Sequence, residues 1–346
     1  MADAPDLRSG GFIPCGFESH PGHFLIMALG IFCFCFSFLL TFLILPPLIK
    51  ALKRAGFLAK DMNKPGKVLV PEMGGIALVF GVGLTLIFLI GLKVFLNFDF
   101  QISLEKLLGA LLVLISIGFI GLIDDLLVLS QKTKVILALL AGLPLGVLKM
   151  GVFQMHLPFL GQVDFGIFYP LVLVPLGVSG AANAFDMLAG FNGLETGLSL
   201  IISLFLALIA LKIGAFNSFL ILLCLAGSSL ALYFFNRYPS KIFVGDIGTM
   251  SSGALIATAV ILGNFELAGL IMFLPHFLDF FIKIRHHLPK TFGEYKEGKL
   301  YPPQNQVKGL GQLIMKLFGG ISEKNLVRVI FLIEILCGIF ALIYYF

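Results

Sequence analysis

The sequence predicts an all-α polytopic integral membrane protein with about ten transmembrane helices. Of its 346 residues, 59% are hydrophobic and 12% are charged, and the mean hydropathy is +1.04. In soluble domains, about 25% of the residues are charged and about 45–50% are apolar. This composition therefore excludes a soluble enzyme, a disordered regulator and a nucleic-acid binder.

Apolar segments of near-spanning length account for most of the chain. A spanning helix needs about 20 mostly apolar residues. Ten segments qualify, of which the fourth and fifth are short: 24–46, 73–94, 107–123, 135–150, 166–180, 197–214, 216–235, 249–264, 266–283 and 325–346. Glycines interrupt many of them, which is typical of helices that pack closely in lipid.

Lysine and arginine are distributed unevenly between two sets of loops. Most lie in or beside the loops after the first, third, fifth, seventh and ninth segments. The positive-inside rule places these loops in the cytoplasm and both termini outside. We therefore expect one transmembrane domain over 1–346, with a polar extracytoplasmic tail at 1–23 and a cytoplasmic loop at 284–324.

Acidic residues collect on the predicted cytoplasmic side. Asp124 and Asp125 end the third segment, Asp186 follows the fifth in a Gly-rich turn, and Asp246 precedes the eighth. Alone, each fits a solvated helix end, a turn or a helix cap. Together they favour a functional site, because charged groups near the bilayer are costly. Carboxylates beside Gly-rich turns suit Mg²⁺ or Mn²⁺ and a phosphate.

The last predicted cytoplasmic loop is basic and reads KIRHHLPKTFGEYKEGK. Such side chains suit a phosphate or pyrophosphate, although the positive-inside rule alone also explains them. Just before this loop, His276, Asp279 and Lys283 form a polar stripe at helical spacing. We interpret the stripe as an internal ion pair between Asp279 and Lys283.

Taken together, the motifs resemble those of the polyprenyl-phosphate N-acetylhexosamine-1-phosphate transferase family, over nearly the whole chain. This family includes the bacterial phospho-MurNAc-pentapeptide translocase and the GlcNAc-1-phosphate transferase that starts N-glycosylation. The motifs are KDMNKPGK, PEMGG, IDDLLVLSQKTK, NAFDMLAGFNGLETG, FVGDIGTM and RHHLPK. The NAFDMLAGFNGLETG segment is most similar to the eukaryotic and archaeal GlcNAc branch.

The resemblance implies a catalytic centre. Asp124 and Asp125 match the family's paired aspartates near the lipid phosphate and the metal. Lys134 matches a lysine that contacts the pyrophosphate, and Asp186 and Asp246 match the metal-binding positions. The eukaryotic branch has asparagine at the Asp186 position, so this site would carry one more negative charge.

The resemblance also implies a donor site. Asn192 and Phe243 match residues that recognise uracil and stack on it. The remaining substrate-binding positions line the nucleotide-sugar pocket or engage the sugar phosphate: Met62, Glu72, Asn183, Arg285, His286 and His287. The eukaryotic branch has arginine at the His287 position, which leaves the sugar contact open.

The expected reaction is transfer of GlcNAc-1-phosphate from UDP-GlcNAc to a polyprenyl or dolichyl phosphate, with Mg²⁺ or Mn²⁺ as cofactor and UMP as a product. Direct attack and an aspartyl-phosphate intermediate both remain open. UDP-GalNAc or UDP-MurNAc-pentapeptide is an alternative donor, and a transporter is a distant alternative. The expected location is the plasma membrane of a prokaryote or the ER membrane of a eukaryote. A homodimer is a candidate assembly, because the peptidoglycan branch forms homodimers.

Overall fold

Twelve α-helices and three two-stranded antiparallel hairpins make up the part of the chain that the computed structural model describes, residues 21–96, 102–148, 151, 154–157, 161–289 and 291–346. The helices are α1 Pro21–Ala55, α2 Gly75–Leu96, α3 Leu104–Leu127, α4 Gln131–Val147, α5 Val174–Met187, α6 Leu194–Lys212, α7 Phe216–Asn236, α8 Asp246–Gly263, α9 Glu266–Met272, α10 Leu274–Ile284, α11 Leu310–Leu317 and α12 Glu323–Tyr345. The strands are β1 Leu58–Lys60, β2 Leu69–Pro71, β3 Gln154–Leu157, β4 Gly161–Asp164, β5 Glu294–Lys296 and β6 Lys299–Tyr301. Most of the expected 1–23 tail lies outside the described residues.

The prediction of a multi-pass membrane protein is confirmed. Among the described residues, eight helices are long and apolar enough to cross a bilayer, and the bent pair α9–α10 would make nine. The fifth predicted segment combines α5 with a preceding π-helical turn at Tyr169–Leu173. Helix α4 has 17 residues and is the remaining candidate. The count of ten spans and their orientation therefore stay predictions.

Several helices extend beyond their apolar segments. The first predicted segment ends at residue 46, but α1 continues through Pro46 and Pro47 to Ala55. Helix α3 includes Asp124 and Asp125. Asp186, predicted in a turn, lies inside α5. Hydropathy detects where polar residues begin, whereas the backbone continues to form helical hydrogen bonds beyond that point.

The ninth predicted segment, 266–283, is two helices rather than one. Helices α9 and α10 meet at an angle of 59° around Phe273. Pro275 lies in the first turn of α10, where its missing N–H is tolerated and its ring disfavours a continuous helix. The bend opens a space beside α5 and α8.

Helix α8 is the central element of the described bundle and the most buried of its eight spanning helices. It packs against α2, α3, α5 and α7. Glycines permit direct backbone contact: a Cβ atom on Gly75 would lie 2.2 Å from the Gly248 nitrogen, and one on Gly121 would lie 2.5 Å from the Ile247 Cα. These contacts place the start of α8 beside the end of α3.

A short extended segment connects α7 to α8 and joins the hairpin formed by β1 and β2. The Phe243 amide donates to the Pro71 carbonyl at 2.7 Å, and the Gly74 amide donates to the Phe243 carbonyl at 2.8 Å. The Gly75 amide continues the ladder to Val244. The motifs PEMGG and FVGDIGTM therefore form one structural unit.

Candidate active site

Three aspartates from three helices converge on one lysine. The Lys134 Nζ lies 2.6 Å from Asp124 Oδ2, 2.8 Å from Asp186 Oδ2 and 2.6 Å from Asp246 Oδ2. We call these four residues the carboxylate cluster. The Lys134 side chain is 3% exposed and that of Asp246 is 29% exposed, so Asp246 is the member most open to a ligand.

The tight connection between α3 and α4 brings Asp124 and Lys134 together. Asp124 Oδ1 accepts a hydrogen bond from the Leu129 amide at 2.6 Å. Val128 adopts a left-handed conformation that ends α3, and Ser130 caps α4 by accepting from the Thr133 amide. The motif IDDLLVLSQKTK thus forms a helix end, a turn and a helix start that place Asp124 beside Lys134.

Asp125 points away from Lys134 and caps α8. Its Oδ1 accepts the Asp246 amide at 2.7 Å, and its Oδ2 accepts the Ile247 amide at 3.1 Å. Gly245 has φ +72°, and a Cβ atom there would lie 2.7 Å from Asp125 Oδ2. We predicted Asp246 as a candidate cap of this helix; Asp125 provides the cap from another helix instead.

Asp186 is held from both sides. Its Oδ1 accepts a hydrogen bond from the Thr249 hydroxyl at 2.8 Å, while its Oδ2 faces Lys134. Sequence reasoning missed Thr249, although it lies in the FVGDIGTM motif three residues after Asp246. Its position one turn into α8 places its hydroxyl on the same side as the cluster.

Asn192 is the centre of a second polar network. Its amide nitrogen donates to Asp61 Oδ2 at 3.1 Å and to Glu323 Oε1 at 2.7 Å. Its oxygen accepts from Lys64 Nζ at 3.1 Å and from the Ser240 amide at 2.7 Å. These bonds use the full capacity of a side-chain amide. The network ties the first loop, the loop after α5, the α7–α8 segment and α12 together.

The sequence carried a signal for part of this network. Asp61 and Lys64 belong to the KDMNKPGK motif, and they form an ion pair with each other. Glu195 of the NGLETG motif accepts the Gly190 amide at 2.7 Å and orders the same loop. Glu323 lies outside every motif, so nothing in the sequence pointed to it.

Other predicted substrate-binding residues lie around these two networks. Asn183 is one turn before Asp186, and its Oδ1 is buried without a partner among the described residues. Phe243 is half-buried and fixed by its backbone. Glu72 follows β2 and is half-buried, while Met62 is exposed.

The predicted basic motif Arg285, His286 and His287 follows α10 directly and is exposed. Lys283 anchors its start, because it donates to the Met187 carbonyl next to Asp186 and pairs with Asp279 at 2.8 Å. The predicted Asp279–Lys283 ion pair is confirmed. His276 does not join it; its ring lies between those of Phe185 and Phe273, at 5.0 and 4.8 Å.

An apolar groove of about 260 Å³ lies between α5, α8 and the bent pair α9–α10. Small residues on one face of α5, Gly177, Gly180 and Ala181, leave the space open. Apolar side chains form most of its walls, among them Ile256, Val260, Leu270, Phe273 and Phe277, and the hydrogen-bonded pair Tyr169 and Glu266 is its polar part. Asp186 lies five residues beyond Ala181 on the same helix, about 7.5 Å along its axis. The groove therefore lies along the N-terminal half of α5, and Asp186 lies near the C-terminal end of the same helix on another face.

The charge and donor set of the cluster fit a divalent cation. Three carboxylates face one ammonium group, and Asp125 adds a further acid beside them. In the described part of the chain, no three His, Cys, Asp or Glu side chains enclose a metal by themselves. Oxygen donors completed by ligand phosphates are what Mg²⁺ and Mn²⁺ prefer.

The fold and the site define a multi-pass membrane protein with a carboxylate–lysine centre where α3, α4, α5 and α8 meet. A family model described as glycosyl transferase family 4 matches residues 107–264, which contain the whole carboxylate cluster. A protein of Sulfolobus acidocaldarius, provisionally named UDP-N-acetylglucosamine–dolichyl-phosphate N-acetylglucosaminephosphotransferase, is 33% identical over 89% of this chain and 94% of its own length. The chain belongs to glycosyl transferase family 4.

More distant relatives agree with this assignment. The UDP-N-acetylglucosamine–dolichyl-phosphate N-acetylglucosaminephosphotransferase of Saccharomyces cerevisiae is 27% identical over 79% of this chain and 72% of its own length. The phospho-N-acetylmuramoyl-pentapeptide-transferase of Clostridium perfringens is 26% identical over 65% of this chain and 73% of its own length. The predicted family resemblance is confirmed.

Proposed function

We propose that this protein transfers GlcNAc-1-phosphate from UDP-GlcNAc to a polyprenyl or dolichyl phosphate, the first step of a lipid-linked glycan pathway. The observation that carries the proposal is the convergence of Asp124, Asp186 and Asp246 on Lys134 in a membrane protein. The names of the archaeal and eukaryotic relatives support the same donor and acceptor.

The acceptor would enter from the bilayer. The groove lies along the N-terminal half of α5 beside α8, and most of its lining is apolar. An isoprenoid chain fits such a surface, because burial of its methyl and methylene groups is favourable. In this proposal the lipid phosphate extends beyond the groove to the carboxylate cluster, where Lys134 supplies the countercharge.

Asp186 and Asp246 would hold Mg²⁺, or Mn²⁺, together with the donor pyrophosphate. The ion would supply Lewis-acid stabilisation of the charge that gathers on the phosphate oxygens. Asp246 is open to a ligand, whereas Thr249 orients Asp186. Asp125 positions this pair indirectly, since it fixes the first two amides of α8.

In the proposed step, an oxygen of the lipid phosphate attacks the sugar-bearing phosphorus. A new phosphorus–oxygen bond forms, the bond to the bridging oxygen breaks, and UMP leaves. The second pKa of a phosphate ester is near about 6, so the acceptor is largely deprotonated at neutral pH. Lys134 would bind the phosphates, and Asp124 would orient Lys134 and receive any remaining acceptor proton.

The donor would bind where the cytoplasmic loops meet the cluster. Phe243 offers a half-buried ring for stacking on uracil, and the Asn192 network shapes the adjacent loop. Met62, Glu72 and Asn183 would line the nucleotide-sugar pocket. The exposed motif Arg285–His287 would engage the sugar phosphate, because it follows Lys283, which is bonded next to Asp186.

The charge distribution supports a cytoplasmic active site with both termini outside. The carboxylate cluster lies at the ends of α3 and α5 and the starts of α4 and α8, which all face the lysine-rich loops. The membrane would be the plasma membrane of a prokaryote or the ER membrane of a eukaryote. A homodimer remains part of the proposal on the family resemblance alone.

Release of UMP tests the reaction. Detergent-purified protein is incubated with polyprenyl phosphate and Mg²⁺, and UDP-GlcNAc, UDP-GalNAc and UDP-MurNAc-pentapeptide are compared. Release with UDP-GlcNAc supports the proposal. Release only with another donor would support the reaction type but overturn UDP-GlcNAc as the donor. No release with any donor, when an active family member releases UMP under the same conditions, would overturn both the reaction and the donor.

A further inference from the structure

A second cavity lies where α1 and α7 meet β2. Its volume is about 460 Å³, and it is bounded by the last three turns of α1, by β2, by the end of α7 and by the segment that follows α7. On α1, Pro46, Ile49, Lys50 and Lys53 line it. Their spacing of three and four residues places them on one face of the helix. We call this cavity the α1–β2 cleft.

The cleft combines an apolar wall with a basic rim. Leu69, Val70 and Phe235 contribute apolar surface, and Lys241, in the segment after α7, also lines the cleft. Lys50, Lys53 and Lys241 are exposed, and none of the three has an acidic partner or a side-chain hydrogen bond in the described part of the chain. Three uncompensated ammonium groups around one cavity create a site for an anion.

The position of the lysines along α1 indicates how deep the cleft lies in the bilayer. The apolar run of α1 extends from Phe24 to Ile49, and Lys50 is its first charged residue. Lysines at this boundary lie at the level of the phospholipid headgroups. Below them, Pro46 and Leu43 continue the exposed apolar surface of α1. A ligand held here would meet ammonium groups at one end and hydrocarbon at the other.

We propose that the α1–β2 cleft binds one anionic phospholipid, with its phosphate between Lys50, Lys53 and Lys241 and its acyl chains along the apolar face of α1. This site is separate from the carboxylate cluster and from the groove beside α5. A free phosphate would satisfy the lysines but would leave the apolar wall uncovered. A neutral phospholipid would cover the wall but would leave the three positive charges unpaired.

The cleft shares a wall with the proposed donor site. The Ser240 amide, on the cleft side, donates to Asn192, and the carbonyl of Pro71 in the cleft accepts the Phe243 amide. If the proposed function holds, a bound anionic lipid would therefore hold the α7–α8 segment in place and lower the KM for UDP-GlcNAc. Lipid binding itself is measured without turnover, so its failure is distinguishable from failure of the proposed reaction.

The absence of tryptophan from the chain allows a direct test. Leu69→Trp places a single fluorophore on the cleft wall, at a side chain that is 57% exposed. Phe318→Trp, at a side chain that is 59% exposed on another surface, is the matched reporter. Mixed micelles contain brominated phosphatidylglycerol or brominated phosphatidylcholine, and fluorescence quenching reports contact with the acyl chains.

The expected result is half-maximal quenching of Leu69→Trp at about tenfold less phosphatidylglycerol than phosphatidylcholine, because each lysine near a membrane surface favours anionic lipid. Adding Lys50→Gln and Lys53→Gln should abolish this preference. Adding Lys299→Gln and Lys316→Gln, which removes the same charge from exposed positions elsewhere, should leave it intact.

Three outcomes would overturn the proposal. One is equal quenching by the two lipids, and another is an equal loss of preference in both double variants. The third is competition by inorganic phosphate or glycerol 3-phosphate at the same concentration as the lipid, which would assign the site to a free anion. Size-exclusion profiles of all variants should match that of the wild-type protein, so that a change in quenching reflects binding.

Discussion

The Asp125 carboxylate on α3 accepts the backbone amide of Asp246, the first residue of α8, at 2.7 Å. One acid thus fixes the backbone that carries another acid, and Asp124 and Asp246 meet at Lys134 as a result. Adjacent aspartates in the sequence therefore have different roles. Asp124 belongs to the carboxylate cluster, and Asp125 holds part of the cluster in position.

Asp125→Ala should destabilise the fold more than the conservative variant Asp125→Asn does. Asp125→Ala removes the cap of α8, which we expect to lower the free energy of unfolding by about 1–2 kcal/mol. Asp125→Asn retains one acceptor oxygen and should lose less. Denaturant unfolding monitored by circular dichroism measures both variants. Equal stability of Asp125→Ala and the wild-type protein would contradict the capping role.

Asp246→Asn should reduce UMP release by at least about a hundredfold, since a metal ligand contributes several kcal/mol to the transition state. The asparagine keeps the size of the side chain and an acceptor for Lys134, so the fold should persist. Glu294→Gln, on an exposed hairpin, is the matched loss of one charge and should be silent. Activity of Asp246→Asn within a few-fold of wild type would remove Asp246 from the metal site.

Lys134→Met should make the protein respond more strongly to Mg²⁺. Without the ammonium group, three carboxylates repel one another, and a divalent cation then relieves more repulsion than in the wild-type protein. We expect a lower Tm in chelator and a larger rise in Tm on addition of Mg²⁺. Lys132→Met, at an exposed lysine two residues earlier, is the control. An equal Mg²⁺ shift in both variants and wild type would argue against a cation site at the cluster.

Gly180→Leu should block the apolar groove. A Cβ atom at Gly180 meets no heavy atom within 4 Å, so the new side chain fits without a clash and fills space that the acceptor chain would use. We expect the KM for polyprenyl phosphate to rise at least about tenfold, with the KM for UDP-GlcNAc unchanged. Gly91→Leu is the matched control, because Gly91 on α2 is equally open. An unchanged acceptor KM would place the lipid elsewhere.

Phe243→Ala should raise the KM for UDP-GlcNAc by about fivefold to a hundredfold, the range expected for loss of one base–aromatic stack. The backbone bonds of Phe243 to Pro71 and Gly74 do not depend on its ring, so the segment should stay in place. Phe318→Ala tests an exposed ring at another surface. If the donor KM does not change, the uracil does not stack on Phe243.

The sequence predicted the membrane class because lipid imposes a strong requirement on composition and run length. It placed the ends of helices less well, since Asp124 and Asp186 stop the apolar signal without stopping the helix. The break at Phe273 was also missed, although Pro275 marked it. A hydropathy profile treats α9 and α10 as one run.

For the site, the sequence predicted the members of the cluster better than their roles. Asp124, Lys134, Asp186 and Asp246 were predicted as members of one centre and lie together, but their individual roles depend on direction, which spacing does not give. The capping role of Asp125 requires a helix start more than a hundred residues later in the chain. Glu323 holds Asn192 over a separation of 131 residues and belongs to no motif, so local patterns carried no trace of it.

The glycine contacts of α8 have a mechanical consequence. Where Gly75 and Gly121 meet α8, backbone touches backbone, and no rotatable side chain lies between the helices. The distances between the helix ends that carry the acids are therefore fixed by backbone contacts, and side-chain rotation cannot change them. Adjustment to a different sugar would come from the peripheral loops, which hydrogen bonds attach to these helices. Sequence change can reshape the loops while the reacting centre keeps its dimensions.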